Sequence, residues 1–536
     1  MSQDKGSQNS VDVVIVGAGF SGLYLIHRLR NEGYSLRVFE RGDGVGGTWY
    51  WNRYPGARCD VESMQYSYSF DEQLQQDWHW PEKFSAQPDI LEYANRVADR
   101  FDLRKEIEFE TAVTAAHFDE AAGRWRVETD KGEKVSARFF IMATGCISTA
   151  QIPDIAGLSL YQGNTYHTGK WPHEKVDFTG QRIAVIGTGS SGIQAIPVLA
   201  EEAAHLTVFQ RTANYSLPAQ NMTMTPEYEG EWKDDYRARR MEMRYTPQGS
   251  LKDLNDEPAL AVSEDRRREV YTERWATGGA TLLGAFNNLL IDQKSNDTAA
   301  AFVRQQIRKT VKDPATAELL CPKDHPIGTK RICIDSGYYQ TFNRDNVELV
   351  DIKKSPIERI TATGLIANGR AFEFDSIVFA TGFDAMTGAL TAVDIRGKED
   401  ASLRERWADG PISYLGLAMA DFPNLFTVTG PGSPSVFTNM LPTIEQHVDW
   451  ITDCLAWMQD RNYTAIEAEH DAERAWWEHH QEVATVGIKT TTDSWYLGAN
   501  VHGKARVFMP YYGGFPDYCR KCEEVVADGY AGFAFG

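Results

Sequence analysis

Two segments of the chain have the glycine spacing that binds a pyrophosphate. Each reads G-x-G-x-x-G, follows a short apolar run and precedes a segment that we predict to be helical. The glycines are Gly17, Gly19 and Gly22 in the first segment and Gly187, Gly189 and Gly192 in the second. The first glycine of such a turn permits the bend, the second admits the pyrophosphate and the third lets the helix pack on the strand. The spacing predicts two dinucleotide sites, and the second turn also presents Thr188, Ser190 and Ser191.

The end of the next strand differs between the two units. In the first unit, the predicted strand Leu36–Phe39 ends at Glu40, which is placed to accept hydrogen bonds from ribose hydroxyls. In the second unit, Leu206–Phe209 leads to Arg211 and Thr212 with no acidic residue. An arginine attracts the 2′-phosphate that a glutamate would repel. We therefore predict FAD at the first site and NADPH at the second.

A loop rich in glycine and aromatic residues lies between the two turns. Residues 46–60 read GGTWYWNRYPGARCD, a composition that suits a position along a planar ring system. The strand-like stretch 110–118 places the backbone of Val113 where an adenine contact would fall. Ala-Thr-Gly turns at 143–145 and 380–382 follow apolar runs, and each is expected near a nucleotide.

The segment before the second turn carries a longer motif. It reads Tyr161-x-Gly163-x-x-x-His167-x-x-x-Trp171-Pro172. Together with the first glycine turn, Glu40 and the 46–60 loop, this motif resembles the fingerprint of the type I Baeyer–Villiger monooxygenases. The chain departs from the family pattern at Tyr161, where the family usually has Phe. The resemblance extends over nearly the whole chain.

The resemblance implies an NADPH- and O2-dependent flavin enzyme. Such an enzyme inserts one oxygen atom next to a ketone carbonyl through a flavin C4a-peroxide and gives an ester or lactone. Lys330-Arg331 matches the family's catalytic dipeptide, and Asp60 matches the carboxylate beside that arginine. A permanently charged guanidinium suits the stabilisation of negative charge in such a reaction. The resemblance makes Arg331 and Asp60 the catalytic residues and Lys330 a contact of the NADP phosphate.

Further residues match cofactor-binding positions of the family. Arg58 and Cys59, like Asp60, are expected where the two cofactors meet. Trp495 matches a tryptophan of a mobile loop that reaches the nicotinamide ribose. His167 is expected to form hydrogen bonds at the hinge between the domains, and Trp171 to anchor packing. The positions that match flavin contacts are Ser21, Gly47, Thr48, Trp49, Tyr66 and Met440.

These motifs must be positioned by an α/β fold with two Rossmann-like domains, one for FAD and one for NADP. Residues 1–147 are predicted to begin the FAD domain, and 148–222 the NADP domain. Residues 223–326, which are charged and helix-prone, are predicted to be a helical insertion in the NADP domain. Residues 327–382 complete the NADP domain, with strands predicted at 332–334 and 338–350. Residues 383–536 complete the FAD domain and include a mobile loop at 487–508.

The composition of the chain argues against several other classes of function. The 536 residues are 42% hydrophobic and 24% charged, with a formal net charge of −20 and no basic stretch, which argues against a nucleic-acid partner. No apolar run reaches the length of a membrane span, and the N-terminus does not resemble a signal peptide. We therefore expect a cytoplasmic enzyme, without membrane or metal, that is a monomer or weak oligomer. Seven scattered cysteines do not form a disulfide framework, and Cys519-x-x-Cys522 is interpreted as structural.

Three other functions are open to a chain with these motifs. A flavin-dependent N- or S-oxygenating monooxygenase shares both glycine turns but lacks Trp171-Pro172 and an equivalent of Arg331. A flavin disulfide reductase needs a cysteine pair near the first domain's second strand, where only Cys59 lies. A non-enzymatic binding module would not need two cofactor sites. The loop Gly432–Phe437 is longer than that of the family's small-ring cyclohexanone enzymes and resembles the loop of its phenylacetone, steroid and large-ring group. That resemblance implies a pocket for bulky or cyclic ketones.

Overall fold

The structure, a computed structural model, describes residues 10–536 and has α/β architecture. The strands are β1 (Ser10–Val16), β2 (Leu36–Phe39), β3 (Ile107–Glu108), β4 (Val113–Asp119), β5 (Arg124–Thr129), β6 (Lys134–Met142), β7 (Asn164–His167), β8 (Arg182–Ile186), β9 (His205–Gln210), β10 (Ser216–Pro218), β11 (Cys333–Asp335), β12 (Val347–Asp351), β13 (Ile357–Thr361), β14 (Gly364–Ala367), β15 (Arg370–Glu373), β16 (Ser376–Phe379), β17 (Asp394–Arg396), β18 (Leu425–Thr427), β19 (Ile466–Ala468) and β20 (Phe533–Phe535).

Helices cover the faces of the sheets and form most of the segment between residues 223 and 326. They are α1 (Phe20–Asn31), α2 (Thr48–Trp51), α3 (Glu72–Asp77), α4 (Gln87–Arg100), α5 (Ser190–Glu202), α6 (Pro226–Lys233), α7 (Tyr236–Met243), α8 (Glu264–Thr277), α9 (Gln293–Thr310), α10 (Pro314–Leu320), α11 (Tyr338–Thr341), α12 (Gly388–Thr391), α13 (Leu403–Arg406), α14 (Met440–Asp460), α15 (His470–Ala484) and α16 (Phe515–Ala527).

The first sheet has eight strands and takes them from both ends of the chain. Its order is β17-β4-β5-β6-β1-β2-β3, with β18 also paired to β6. β1 pairs in parallel with β2 and with β6, whereas β4, β5 and β6 form an antiparallel meander. β1 and β6 consist largely of buried apolar residues, which is typical of strands covered on both faces. The parallel strands bring the ends of β1 and β6 to one edge, where the first glycine turn begins.

The second sheet has five parallel strands in the order β12-β9-β8-β16-β7. β8 lies at its centre, between β9 and β16, and leads into the second glycine turn. The strands of this sheet come from residues 164–210 and 347–379, and those of the first sheet from 10–142 and 394–427. The chain therefore passes between these two sheets twice, between β6 and β7 and between β16 and β17, and the other strands form smaller sheets of two or three strands.

The helices between residues 223 and 326 pack on two different cores. Trp232 of α6 and Tyr236 of α7 belong to the apolar cluster of the first sheet. The Tyr236 hydroxyl donates to the Met64 carbonyl at 2.6 Å. Helices α8 to α10 instead contribute residues such as Tyr271 and Val303 to the core of the second sheet. The segment thus bridges the two sheets, whereas the sequence placed all of it with the second.

Two other sequence predictions concern local structure. The strand predicted over residues 338–350 is wrong in its first half, because residues 338–341 form the short helix α11 before β12 begins at Val347. The Cys519 and Cys522 thiols are free and buried on α16, and burial raises the pKa of Cys519 to about 11. Within residues 10–536 no helix is both long and apolar enough to cross a membrane.

Candidate active site

The first glycine turn is packed so closely that side chains would not fit. Gly17 has a φ of +103°, and a Cβ there would lie 2.8 Å from the Ala143 carbonyl oxygen. A Cβ on Gly22 would lie 2.0 Å from the Gly17 carbonyl oxygen, because α1 starts immediately over the turn. Gly47 has a φ of +55°, and its Cβ would be 2.8 Å from the Gly19 Cα. The two predicted flavin-binding loops therefore meet backbone to backbone at the end of β1.

Glu40 is buried beside this turn, and its carboxylate binds two backbone amides. The Ala18 amide donates to Oε2 and the Gly42 amide to Oε1, each at 2.8 Å. A carboxylate has about four acceptor positions, so each oxygen keeps capacity for a hydroxyl donor. The backbone preceding Val113 lies alongside, since the Thr111 amide donates to the Glu40 carbonyl. Val113 itself is buried at the start of β4.

The aromatic residues that follow the first turn form one buried group. Thr48 and Trp49 begin α2 directly after Gly47. The Trp49 indole Nε1 donates to the Tyr66 hydroxyl at 3.1 Å. Tyr66 in turn packs edge-on against Phe20, the residue before the buried Ser21 of α1. The predicted flavin contacts therefore cluster around the N-terminus of α1.

The second turn repeats this geometry but leaves its middle glycine open. Gly187 has a φ of +111°, and a Cβ there would lie 2.5 Å from the Ala380 carbonyl oxygen. A Cβ on Gly189 would meet no atom within 4 Å. Three side chains of the turn form hydrogen bonds within the protein. Thr188 Oγ1 donates to the Thr212 carbonyl at 3.0 Å, and Ser191 Oγ accepts from Thr168 Oγ1 at 3.2 Å. The Ser190 hydroxyl lies 3.2 Å from the Cys333 thiol.

Cations converge beyond the second turn. Burial, and then the charge of Arg211, lower the pKa of Lys330, so these two side chains lie close enough to repel each other. Lys330 borders a cavity of about 410 Å³, and so does Thr212, the residue after Arg211. The residues lining it are Thr212, Asp324, Lys330, Lys353, Thr490, Thr491, Thr492 and Asp493. Because Lys353 is paired with Asp324 at 2.6 Å, Lys330 and Arg211 are the cations with charge to offer a phosphate here.

Arg331 and Asp60 form an ion pair across the junction of the two sheets. Asp60 Oδ2 accepts from Arg331 Nη2 at 2.6 Å and from Nε at 3.0 Å. Arg331 Nη1 donates to the Val436 carbonyl at 3.0 Å. The Asp60 charge raises the pKa of the guanidinium, against the effect of burial. About a third of the Arg331 side chain, 35%, remains accessible, so the fixed positive charge is also available to a ligand.

The residues before Asp60 join the first domain to α5. The Arg58 carbonyl accepts from Gln194 Nε2 at 3.0 Å, and the Tyr54 hydroxyl donates to Gln194 Oε1 at 2.8 Å. The Arg58 guanidinium turns away and pairs with Glu82. Cys59 is buried, and burial raises the pKa of its thiol, which is therefore unreactive. The backbone of this segment lies at the domain junction, while the Arg58 charge is already paired.

His167 lies where the two connections between the sheets run side by side. The Gln151 amide donates to the Gly382 carbonyl at 2.9 Å. His167 Nδ1 accepts from the Gly169 amide at 2.9 Å, and Nε2 lies 3.3 Å from both the Gln151 carbonyl and Thr381 Oγ1. Burial lowers the pKa of His167, so the ring is neutral and carries its proton on Nε2. The contacts suit a hinge and offer no route for proton transfer.

Replacing His167 by alanine is expected to leave FAD bound and to lower the yield of ester per NADPH. The loss should be about fivefold, since one or two neutral hydrogen bonds at the hinge disappear. The measurement is NADPH consumption against product. Tyr161→Phe is the matched control, because it removes only the hydroxyl bond to the Phe374 carbonyl at 3.0 Å. Wild-type coupling in the His167 variant would make this histidine a packing residue.

Met440 and Trp495 meet in one apolar cluster near Arg331. The buried members of the cluster are Cys146, Ala385, Met386 and Met509, and Met440 and Trp495 pack against them. Trp495 also contacts the ring of Tyr496, whose hydroxyl is acted on by the Arg331 charge. Trp171 is separate from this cluster and is buried against Tyr166 and Phe178.

The sequence did not identify several residues that the structure brings to the junction. Val436 and Tyr496 adjoin recognised segments, and their proximity to the loop Gly432–Phe437 and to Trp495 was the available signal. Gln194 has no signal beyond its position on the helix after the second turn. The lysines Lys252 and Lys489 both interact electrostatically with Arg331. Lys489 lies in the predicted mobile loop 487–508, but nothing in the sequence distinguished it within that loop, and Lys252 lies in an ordinary polar segment.

The two glycine turns fit dinucleotides in this structure. Helices α1 and α5 each follow an N-cap glycine, Gly19 and Gly189, and neither N-terminus has a side-chain cap. Helices α6, α8, α9 and α10 are capped by Thr225, Ser263, Asp292 and Asp313, whereas α4, α7, α15 and α16 are also uncapped, so the glycine turn and not the missing cap distinguishes α1 and α5. Free amides at a helix N-terminus attract phosphate. The open space over Gly189 and the cations beyond it suit a phosphorylated nucleotide at the second turn.

Comparison with known proteins identifies relatives over the whole chain. The family model described as "Flavin-binding monooxygenase-like" matches residues 10–222. A Baeyer–Villiger monooxygenase of Pseudooceanicola batsensis is 40% identical over 97% of this chain and 95% of its own. A phenazine N-monooxygenase of Lysobacter antibioticus is 39% identical over 97% of this chain and 96% of its own.

Solved structures also match this chain over nearly its whole length. An oxidised steroid monooxygenase bound to NADP is 52% identical, with a TM-score of 0.94 over 98% of this chain and 99% of that one. A closed structure of cyclohexanone monooxygenase is 42% identical, with a TM-score of 0.96 over 98% and 99% of the two chains. An open structure of cyclohexanone monooxygenase is 40% identical, with a TM-score of 0.92 over 99% and 100%.

Proposed function

Because the chain belongs to the type I Baeyer–Villiger monooxygenase family, we propose that Arg331 and Asp60 direct its oxygen insertion into bulky cyclic ketones. The enzyme uses FAD, NADPH and O2 to convert a ketone to an ester or lactone. One observation supports this use of the pair: a guanidinium fixed by Asp60, with 35% of its side chain accessible, lies between the two cofactor-binding domains.

The protein's contribution to the reaction is electrostatic and positional. Reduced FAD supplies the electrons and activates O2, which no side chain of the protein can do. Arg331 then stabilises the negative charge that develops on the substrate's carbonyl oxygen. Asp60 holds the guanidinium in place through Nε and Nη2, and the Val436 carbonyl holds Nη1. Such prearranged charge stabilises a transition state without reorganisation during the reaction.

The two nucleotide sites have different electrostatic requirements. At the first site, Glu40 accepts hydrogen bonds from the ribose hydroxyls, while residues of the loop 46–60 contact the flavin. At the second, the amides at the start of α5 bind the pyrophosphate, and Lys330 and Arg211 bind the 2′-phosphate. Support for this division comes from the cavity that Lys330 and Thr212 line and from the charge of Arg211 acting on Lys330, because an anion between two cations relieves their repulsion.

Replacing Arg211 by alanine is expected to raise the KM for NADPH about tenfold, the low end for one lost charge-assisted hydrogen bond at an exposed position. The KM for NADH, which has no 2′-phosphate, should change far less. Steady-state kinetics with the two cofactors make the comparison. An equal rise in the KM for NADPH and for NADH would show that Arg211 does not bind the 2′-phosphate.

The preference for bulky ketones is supported by the 52% identity to a steroid monooxygenase and by the loop Gly432–Phe437. In this loop Val436 and Phe437 are only half-buried beside Arg331, and Phe437 contacts Tyr496. A panel of ketones from acetone to steroids, scored for NADPH use and ester yield, tests the proposal. Turnover limited to the small ketones would contradict it.

N- or S-oxygenation is a second candidate activity, and the similarity to a phenazine N-monooxygenase gives it a specific basis. The same preparation should be offered a cyclic ketone, a thioether and an aromatic N-heterocycle. Ester formation faster than sulfoxidation and N-oxidation is the expected order. N-oxide as the sole product would make the heteroatom reaction the enzyme's function.

The domain boundaries follow from the sequence, with support from the sheets. We propose an FAD domain of residues 1–147 and 383–536 and an NADP domain of residues 148–222 and 327–382. Strands of the first sheet lie only within the former ranges among residues 10–536, and strands of the second sheet within the latter. Residues 223–326 are a helical insertion in the NADP domain whose helices α6 and α7 also pack on the first sheet's core. The cytoplasmic location and the oligomeric state stay predictions.

A further inference from the structure

Lys489 is a buried lysine on the segment that leads to Trp495. It lies in a short 3-10 turn, Ile488–Thr491, and only 8% of the residue is exposed. Its Nζ donates to the Gly328 carbonyl at 2.9 Å. Three aromatic rings surround the amine, with centroids 4.6 Å (Phe437), 5.6 Å (Tyr512) and 5.7 Å (Tyr496) away. Lysine is almost never so buried without a specific reason.

The contacts of Lys489 join three of the segments that lie around Arg331. Gly328 precedes Arg331 by three residues in a stretch without helix or strand. Phe437 directly follows Val436, whose carbonyl accepts from Arg331. Tyr496 directly follows Trp495. One side chain therefore connects the Arg331 segment, the loop Gly432–Phe437 and the Trp495 segment.

We propose that Lys489 is a positioning residue that locks residues 487–497 against the Gly328–Arg331 segment when the enzyme closes over NADP. The inference rests on the proposed binding of NADP at the second turn. Thr490 to Asp493, directly after Lys489, line the cavity beside Lys330 and Thr212. The fold agrees more closely with the closed than with the open cyclohexanone monooxygenase, with TM-scores of 0.96 and 0.92. Because Lys489 holds residues 487–497 against Gly328 in this structure, we assign its contacts to the closed state.

The lock is strongest with a neutral amine, because burial and the neighbouring cations oppose a charged Lys489 in the closed state. The charged groups acting on Lys489 are the cations Arg331 and Lys252, while Asp60 is occupied by Arg331. The facing phenols are neutral, since burial raises the pKa of both Tyr496 and Tyr512. Burial first, then Arg331 and Lys252, lower the pKa of Lys489 from 10.5 to about 7 in the closed state. In the open state water solvates the amine, and the pKa returns towards its ordinary value.

The sign of the pH dependence follows from linkage. Between pH 7 and 10.5 the open state carries the proton and the closed state does not. Closure therefore releases a proton and becomes more favourable as the pH rises through this range, by up to about tenfold per unit. Below pH 7 both states are protonated, and closure is independent of this group.

The test is calorimetry of NADP+ binding to the FAD-loaded enzyme in two buffers that differ in protonation enthalpy. At about pH 8.5 the wild type should release about one proton more than Lys489→Gln, and at about pH 6 the two should agree. Glutamine keeps a donor for the Gly328 carbonyl but does not titrate. Protons from the 2′-phosphate of NADP+ appear in both proteins and cancel in the difference.

Two further variants test whether the effect is specific to Lys489 or follows from losing any lysine that anchors the loop 487–508. Lys504 anchors the same region, since Nζ donates to Asp384 and to the Ala385 carbonyl at 2.7 Å. Lys504→Met should therefore lose protection of residues 498–508 from hydrogen exchange, but keep the NADP+-dependent protection of residues 487–497 and the proton release. Lys489→Met should lose both the proton release and the NADP+-dependent protection of residues 487–497.

Equal proton release by the wild type and Lys489→Gln at pH 8.5 would overturn the inference. Unchanged protection of residues 487–497 in Lys489→Met would do the same. Both readouts need only NADP+ binding and no ketone. An enzyme that oxidises no ketone but shows the proton difference would refute the proposed substrates and retain the lock.

Discussion

Replacing Arg331 by alanine is expected to lower ester formation by about a hundredfold to a thousandfold, as the loss of a prearranged charge at a reacting oxygen typically does. FAD binding and reduction of the flavin by NADPH should persist, because hydride transfer does not place negative charge on the substrate carbonyl. Stopped-flow bleaching of the flavin measures the first half-reaction. Product analysis with a cyclic ketone measures the second.

Two controls separate the charge of Arg331 from its structural effect. Alanine at position 331 leaves the Asp60 carboxylate without its partner, and 27% of that side chain is exposed. The double variant Arg331→Ala/Asp60→Ala removes this unpaired charge and should fold equally well yet stay inactive. Arg331→Lys should recover little activity, since a single ammonium cannot bind Asp60 through Nε and Nη2 together. Ester formation near the wild-type rate in Arg331→Ala would reduce the pair to an interdomain contact.

Replacing Gly189 by alanine is expected to weaken NADPH binding on the order of a hundredfold, the equivalent of one or two charge-assisted hydrogen bonds. The protein should fold, because Gly189 has a φ of −83° and a Cβ there meets no atom within 4 Å. The new methyl would instead fill the space that the pyrophosphate needs in order to reach the amides of α5. NADPH titration measures the loss, and the FAD content should be unchanged.

Gly230→Ala is the matched control for Gly189→Ala. Gly230 lies in α6, and a Cβ there also has no atom within 4 Å. Alanine in a helix interior is more favourable than glycine by about 0.5–1 kcal/mol, so this variant should bind NADPH normally and be slightly more stable. Wild-type NADPH affinity in Gly189→Ala would place the pyrophosphate elsewhere.

The sequence by itself determined the family, both cofactors and the class of fold. Its signals are local, because a glycine turn needs specific residues within six positions of one another. Gly17 and Gly187 illustrate this, since each adopts a φ above +100° that other residues rarely adopt. The strand and helix around each turn follow from short apolar runs, and β1, α1, β8 and α5 formed where the pattern predicted them.

The tertiary structure alone decided which distant residues meet. Arg331 and Asp60 are 271 positions apart, and only the family resemblance suggested their pairing before the structure showed it. No pattern in the sequence placed Lys489 beside Gly328, or α6 and α7 on the core of the first sheet rather than the second. Hydrophobic periodicity shows that a face is buried but not what covers it. Likewise, the charge and pKa of a lysine depend on its neighbours in space, which the fold sets.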